Sequence, residues 1–192
     1  AGNHAQGVAI AAAEYKIPCT IVMPEIAPLA KITATQGYGA KVVLHGATYD
    51  DAYQHCLELQ AASGATFVHA FNDPDIIAGQ GTLGLEMLND LPDADAIVVP
   101  IGGGGLIAGI AIAARALKPD ITIIGVQAEG APSCYASLEA GEIKTSASIM
   151  TIADGIATRR PGDLTFSIIK RLVDEVVLVN DEAIINAVLL LM

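Results

Sequence analysis

The chain has 192 residues, of which 53% are hydrophobic and 16% are charged, so it can build a sizeable core and is not expected to be disordered. Its 21 acidic and 10 basic residues give a net charge of −11, which argues against nucleic acid as a partner. No apolar stretch reaches the roughly 18 uninterrupted residues of a membrane span, so no membrane partner is expected.

The cysteines and histidines predict no metal centre. Cys19, Cys56 and Cys134 are odd in number and form no CxxC pair, which is typical of reduced thiols in a cytoplasmic protein. The four histidines show no ligand spacing; they are His4, His45, His55 and His69.

Short β-branched runs alternate with longer Ala- and Leu-rich segments along the chain. The runs predict strands at 19–23, 41–45, 66–70, 96–101, 121–126 and 175–179. The other segments predict helices at about 4–15, 28–37, 50–63, 75–90, 104–117, 131–140, 164–173 and 181–192. This order predicts an α/β fold in which helices flank parallel twisted sheets in three layers.

Four consecutive glycines, Gly102 to Gly105, separate a predicted buried strand from a predicted helix. Such a loop lies at the carboxyl edge of a parallel sheet, where α/β proteins bind ligands. Its backbone N–H groups and the helix N-terminus together form an anion site. Close helix packing is the other interpretation, but four glycines are a large entropic cost for packing alone.

The neighbouring residues indicate which anion fits. A Walker loop needs lysine where Ile110 stands. A dinucleotide fingerprint would place its third glycine at Ile107 or Ala108, and since alanine is sometimes allowed there, this match fits poorly but stays open. Gln127 occupies the place of the acidic residue that would hold a ribose. A triphosphate requires a cation, yet no Lys or Arg follows the loop before Arg115. The pattern therefore favours a single phosphate ester, as in a small monophosphate cofactor.

The amino-terminal motif "AGNHAQGVA" precedes an Ala-rich helical segment. Asn3 has the residue type and position of a helix N-cap. Gly2 and His4 complete a short polar turn whose amides can also receive a carboxylate. Both interpretations stay open at this level.

Five motifs taken together identify a family. They are "AGNHAQGVA", "IAGQGTLGLE" (77–86), "VVPIGGGGLIAGIA" (98–111), "IIGVQAEGA" (123–131) and "TIADGIATRRPGDLTF" (151–166). In order and spacing the chain resembles the pyridoxal-phosphate enzymes of the threonine dehydratase and serine racemase family over essentially its whole length. Cysteine synthases resemble it less, since they carry threonine at His4 and a GTGGT-like loop at "GGGGL".

The resemblance implies fold type II, truncated at both ends, with pyridoxal 5′-phosphate as cofactor. Residues 1–70 are then mainly the small domain with an open α/β sheet, and residues 71–192 mainly the large cofactor-binding domain. The implied phosphate-binding residues are Gly102, Gly103, Gly104, Gly105 and Leu106. Asn3 is implied to bind the phenolic oxygen of the pyridine ring, Gly155 to lie beside the ring, and Gly2, Asn3 and His4 to receive the substrate carboxylate.

The implied activity is deamination of L-threonine, and of L-serine, to 2-oxobutanoate or pyruvate and ammonia. Such an ammonia-lyase belongs to amino-acid metabolism, for example isoleucine biosynthesis, and the family implies a homodimer or homotetramer. Amino-acid racemisation on the same scaffold stays an alternative, because racemase and dehydratase share these motifs. A non-catalytic binding remnant is the alternative from a different functional class.

The resemblance places no catalytic residue in this chain. The family's Schiff-base lysine lies upstream of the Asn3 turn, in a segment like Ser-Phe-Lys, and the lysines of this chain have the sequence contexts of solvated surface residues. They are Lys16, Lys31, Lys41, Lys118, Lys144 and Lys170. We therefore expect a fragment, which begins at Ala1 without methionine, ends without a helix cap and is inactive by itself.

Relatives with a divalent-cation site carry Glu and Asp where this chain has Gln127 and Ser133. Without these carboxylates, tight metal binding is not expected.

Overall fold

The computed structural model describes residues 2–192, apart from the side chain of Asp50. The chain divides into two compact units, residues 1–68 and residues 69–192. Their assignment as a small domain and a cofactor-binding domain stays a prediction.

The first unit pairs two parallel strands and carries three helices. Its elements are α1 (Asn3–Glu14), β1 (Thr20–Met23), α2 (Leu29–Gly37), β2 (Lys41–Leu44) and α3 (Tyr49–Ser63). Thr20 lies opposite Lys41 in the parallel register. A capping box begins α3, because the Thr48 hydroxyl accepts the Asp51 N–H and the Asp51 carboxylate accepts the Thr48 N–H.

The second unit is built on a three-stranded parallel sheet in the order β3–β4–β5. Its elements are α4 (Pro74–Asp90), β3 (Ala96–Pro100), α5 (Gly105–Leu117), β4 (Thr122–Ala128), α6 (Ser133–Ala140), a 3-10 turn (Asp154–Ile156), α7 (Asp163–Leu172), β5 (Glu175–Val179) and α8 (Asp181–Leu191). Except for the 66–70 segment, each predicted strand and helix appears with shifts of a few residues at its ends.

Isoleucine and valine side chains from β3, β4 and α5 form the core of the second unit. Ile97, Val99, Ile107 and Ile123 are all nearly or completely buried. Burial alternates along β3, and Val98 between the two buried residues is 60% exposed. The helices of the described chain therefore cover one face of β3 and leave the other open.

Residues 66–70 do not form a strand, so that prediction is wrong for this part of the described chain. Within this segment, the Val68 carbonyl contacts a side chain instead of a neighbouring strand. The Val68 carbonyl lies 3.0 Å from His4 Nε2, and the Phe71 and Asn72 N–H groups donate to His69 Nδ1. The apolar run resembles a strand in composition, but it forms the junction between the two units.

No helix among residues 2–192 has both the length and the apolar character needed to cross a bilayer.

Helices α4 and α5 approach so closely that backbone meets backbone. A Cβ on Gly109 of α5 would collide with the Ile77 carbonyl of α4, and a Cβ on Gly81 would lie 3.0 Å from the Gly109 carbonyl oxygen. The motif "IAGQGTLGLE" thus supplies small residues where α4 crosses α5.

The Asp174 carboxylate, just before β5, connects the C-terminal end of α5 to β4. Arg115 Nη2 lies 2.6 Å from both Asp174 carboxylate oxygens, and the Ile123 N–H donates to Asp174 Oδ2 at 2.6 Å. The Ile123 hydrogen bond is the main cause that lowers the pKa of Asp174; partial desolvation opposes it and Arg115 assists it.

We expect Gly109→Ala to lower the free energy of unfolding by about 3 kcal/mol, because backbone atoms of α4 must move to admit the methyl group. Urea unfolding followed by circular dichroism measures the change. Gly79→Ala is the matched control on α4, since a Cβ there meets nothing within 4 Å. It should be neutral or stabilising by about 0.5 kcal/mol. Equal losses from the two variants would contradict the packing argument.

We expect Asp174→Asn to lower the free energy of unfolding at pH 7 by about 1 kcal/mol, a value reduced for the partial exposure of this carboxylate. Because folding lowers the pKa of Asp174, its contribution is present above the unfolded-state pKa and disappears as pH falls through the folded-state pKa. The stability gap to the unmodified chain should therefore narrow below about pH 4.

Asp95→Asn is the control, since the Asp95 side chain is fully exposed and lies 3.8 Å from Lys118. The Asp95→Asn variant should have the same free energy of unfolding as the unmodified chain, both at pH 7 and below about pH 4. A pH-independent gap for Asp174→Asn would show that the charge of Asp174 does not stabilise the fold.

Candidate functional site

The four glycines form the turn between β3 and α5, at the carboxyl edge of the sheet. Gly104 is the N-cap of α5 and has φ +94°, a left-handed conformation that favours glycine. Gly103, Gly104 and Gly105 are buried, whereas Gly102 and Leu106 are partly exposed. The predicted position of the loop is therefore correct.

Protein atoms pack against every glycine of this loop. A Cβ on Gly103 would overlap the Phe71 ring, and one on Gly105 would lie 2.9 Å from Phe71 Cβ. A Cβ on Gly104 would lie 2.9 Å from Thr165 Oγ1, and one on Gly102 would lie 3.0 Å from Ile156 Cα. Close packing thus leaves no room for a Cβ at Gly103, Gly104 and Gly105, and leaves little room for one at Gly102.

The backbone N–H groups of the loop are not used by the protein. Within residues 2–192, no acceptor receives a hydrogen bond from the N–H groups of Gly102 to Leu106. Side chains cap α3, α4 and α8, but none caps α5. These donors, the α5 dipole and the absence of side chains fit a small anion such as a phosphate ester.

Cations near α5 have other partners. Arg115 is in the last turn of α5, where Nη1 donates to the Pro119 carbonyl and Nη2 pairs with Asp174. Lys118 Nζ donates to the Ala94 carbonyl at 2.7 Å. Both cations lie at the opposite end of α5 from the glycine loop. That the loop binds an anion through backbone dipoles without a salt bridge stays a prediction.

Gly155 lies in the exposed 3-10 turn at residues 154–156. Its neighbour Ile156 packs against Gly102, so the structure brings the Gly155 turn next to the glycine loop. A Cβ on Gly155 would meet nothing within 4 Å. No contact within residues 2–192 therefore requires glycine at position 155.

Gly2, and not Asn3, is the N-cap of α1, so the N-cap interpretation of Asn3 is wrong. Gly2 has φ +110°, and Asn3 is the first helical residue. The Asn3 side chain is exposed and makes no hydrogen bond within residues 2–192. As on α5, no side chain caps this helix, whose first N–H groups can therefore receive a carboxylate.

His4 is held by a backbone carbonyl. Its Nε2 lies 3.0 Å from the Val68 oxygen, which can only accept, so Nε2 carries the proton. Desolvation lowers the pKa of His4 below its ordinary value of 6.5, and the hydrogen bond to Val68 partly opposes this. The imidazole is therefore predominantly neutral at pH 7.

Gly2, Asn3 and His4 belong to the first unit, and the glycine loop with Gly155 belongs to the second. Their assembly into one site stays a prediction.

Sequence reasoning missed three residues that shape the loop. Phe71 packs against it, Thr165 donates to the Gly103 carbonyl, and Asn72 accepts the Leu164 N–H. Thr165 lies inside the motif at 151–166, which was one signal that this residue matters. Its hydrogen bond to Gly103, however, joins residues 62 positions apart in the sequence. Phe71 and Asn72 carry no local pattern that indicates this role.

Gln127 is fully buried and its Oε1 accepts the Tyr135 N–H at 2.9 Å. The Ser133 hydroxyl donates to the Thr158 carbonyl at 3.1 Å. Across the described part of the chain, no group of three or more His, Cys, Asp or Glu residues is arranged to hold a metal ion. That tight metal binding is absent stays a prediction.

Known proteins match this chain along its whole length. It is 54% identical over 192 residues to the L-threonine ammonia-lyase of Thermotoga maritima, covering all of this chain and 48% of that protein. The T.th. threonine deaminase matches with a TM-score of 0.94 and 41% identity, covering 100% of this chain and 63% of that one. Maize serine racemase matches with a TM-score of 0.95 and 41% identity, covering 98% of this chain and 57% of that protein.

These matches confirm the predicted parallel α/β fold and its assignment to fold type II. The chain spans about half the length of the Thermotoga relative. The family model of the pyridoxal-phosphate dependent enzymes matches residues 1–192. On the strength of this match, the chain belongs to the pyridoxal-phosphate dependent enzyme family.

Proposed function

We propose that the full-length protein carrying this chain deaminates L-threonine, and L-serine more slowly, with pyridoxal 5′-phosphate as cofactor. The observation that carries the proposal is the set of unpartnered N–H groups from Gly102 to Leu106 at the start of α5. The names of the similar bacterial proteins, L-threonine ammonia-lyase and L-threonine dehydratase, support threonine as the substrate.

The glycine loop binds the phosphate in this proposal. The N–H groups of Gly102 to Gly105 and of Leu106 donate hydrogen bonds, and the positive end of the α5 dipole adds an electrostatic contribution. Gly155, in the turn next to the loop, leaves room for the pyridine ring because it has no side chain.

The start of α1 binds the other polar groups. The exposed Asn3 amide donates to the phenolic oxygen of the ring, and the N–H groups of Gly2, Asn3 and His4 receive the substrate carboxylate. Because the His4 imidazole is predominantly neutral at pH 7, backbone dipoles and not an ion pair hold this carboxylate.

Bound pyridoxal phosphate supplies an electron sink for the charge that develops when the α-proton leaves. The hydroxyl group on Cβ leaves with a proton as water, and a second water hydrolyses the released enamine to 2-oxobutanoate and ammonia. No residue of this chain is proposed to remove the α-proton. A cytoplasmic homodimer or homotetramer belongs to the same proposal.

We expect Asn3→Ala to lower kcat/KM for L-threonine about tenfold in the full-length holoenzyme, because one hydrogen bond to a charged oxygen is lost. Formation of 2-oxobutanoate, measured by coupled reduction, gives the rate. Glu14→Ala, at the exposed last position of α1, is the matched control and should leave the rate unchanged.

The assay also tests the reaction itself. Threonine-dependent formation of 2-oxobutanoate and ammonia in equal amounts supports the proposal. Chiral chromatography of serine recovered from the assay detects the alternative reaction, racemisation. Formation of D-serine without any keto acid would contradict the deamination proposal and support racemisation. Neither product from a cofactor-loaded protein would leave only the non-catalytic binding interpretation.

We expect His4 to titrate below pH 6.5, which its C2 proton reports by NMR. Since the folded-state pKa is lowered, the stabilising contribution of neutral His4 is complete above the unfolded-state pKa and decreases as pH falls below it. The urea-unfolded chain is the control and should titrate near pH 6.5. A folded-state value at or above the unfolded value would contradict a desolvated, neutral His4.

A further inference from the structure

The orientation of the peptide between Gly103 and Gly104 determines whether an N–H group or a carbonyl oxygen of the loop faces an anion. Glycine adopts φ of either sign with little steric cost, so the residues of this loop do not themselves select one orientation. One orientation presents an N–H group to the ligand, and the flipped one presents a carbonyl oxygen. An oxygen facing a phosphate would repel it, so the orientation must be held by another part of the protein.

Two donors hold the Gly103 carbonyl. Thr165 Oγ1 lies 2.6 Å from the Gly103 oxygen, and the Gly162 N–H donates to the same oxygen at 3.2 Å. The Thr165 hydroxyl has a second acceptor, the Gly162 carbonyl, at 3.2 Å. Since a hydroxyl carries one proton, the shorter contact identifies Gly103 as its main acceptor. Thr165 is completely buried, so bulk solvent does not reach this bond.

The trans peptide geometry transmits this contact to the other side of the loop. In a trans peptide the C=O and N–H bonds point in opposite directions. A Gly103 carbonyl directed at α7 therefore directs the Gly104 N–H away from α7. That N–H has no acceptor within residues 2–192 and lies one residue before the first N–H of α5.

The N-terminus of α7 is itself fixed to the segment that packs under the loop. The Leu164 N–H donates to Asn72 Oδ1 at 2.9 Å, and a Cβ on Gly162 would overlap the Asn72 side chain. Phe71, the preceding residue, packs against Gly103 and Gly105. The Leu164 N–H in the first turn of α7 thus has a protein acceptor, whereas the first N–H groups of α5 have none within residues 2–192.

We propose that Thr165 is a positioning residue for the phosphate site: its hydroxyl holds the Gly103 carbonyl so that the Gly104 N–H faces the phosphate. This inference rests on the proposed function, because it takes a phosphate ester as the ligand of the loop. It assigns a role in anion binding to a residue on α7, a helix that itself donates no hydrogen bond to that ligand in the proposal.

The test measures binding of 4′-deoxypyridoxine 5′-phosphate, by calorimetry, to the full-length protein that carries this chain, after removal of its cofactor. This probe has the phosphate and ring of the cofactor but no aldehyde, so binding requires no lysine. Thr165→Val keeps the side-chain shape and removes the donor, and we expect about tenfold weaker binding. Thr165→Ser keeps the donor, and we expect an affinity within about twofold of the unmodified chain.

Thr35→Val is the matched control for loss of a buried hydroxyl. Thr35 is also completely buried, and its Oγ1 donates to the Lys31 carbonyl within α2 of the first unit. The variant should lose stability as Thr165→Val does and retain the affinity for the probe. Equal affinity losses in both variants would show that general destabilisation, and not positioning, weakens binding.

A second measurement does not depend on the stability of any variant. In the unmodified chain, the Gly104 amide should shift in ¹⁵N–¹H spectra when the probe or inorganic phosphate is added. A Gly104 amide that stays unchanged while neighbouring loop amides shift overturns the role of Thr165. If the probe does not bind the unmodified chain at all, the phosphate site fails and the inference fails with it. If the probe binds Thr165→Val with unchanged affinity, only the role of Thr165 is overturned.

Discussion

Backbone contacts without intervening side chains hold α5 in place, and the rest of the second unit depends on them. Along its length, Gly109 meets the backbone of α4 at Ile77. At its start, the glycine loop lies against Phe71 and Thr165. Because neither contact leaves room for larger residues, α5 is fixed on the sheet with its N-terminus at the carboxyl edge. Its first N–H groups are presented there without partners from the described chain.

The two interpretations of the four glycines, ligand binding and close packing, are compatible, because they concern different groups of the same residues. The Cα hydrogens face protein atoms such as those of Phe71, and this contact leaves no room for a Cβ. The N–H groups of the same residues make no hydrogen bond to the described chain. A residue that packs on one side and donates on the other has to be glycine, which explains why the cost in chain entropy is tolerated.

In the proposed site, backbone dipoles interact with the charge of the phosphate, so that even an acidic protein can hold it. The net charge is −11, and the cations Arg115 and Lys118 near the end of α5 are engaged by Asp174 and by the Ala94 carbonyl. Oriented N–H groups in a buried turn act at short range, where the overall charge of the surface is screened. Arg115 instead joins α5 to the start of β5 through Asp174, which makes its role structural.

The amino-acid sequence determined the alternation of strands and helices, since periodicity and glycine turns are local signals, and it predicted an anion site between β3 and α5. It misassigned residues 66–70, because a β-branched run looks the same whether its carbonyls meet a strand or the His4 side chain. It also placed the α1 cap one residue late, at Asn3 instead of Gly2. Only the tertiary structure decided which side of the glycine loop packs against the protein and which N–H groups have no acceptor in the described chain. That choice depends on Phe71, Asn72 and Thr165, whose contacts join segments far apart in the chain and leave no periodic pattern.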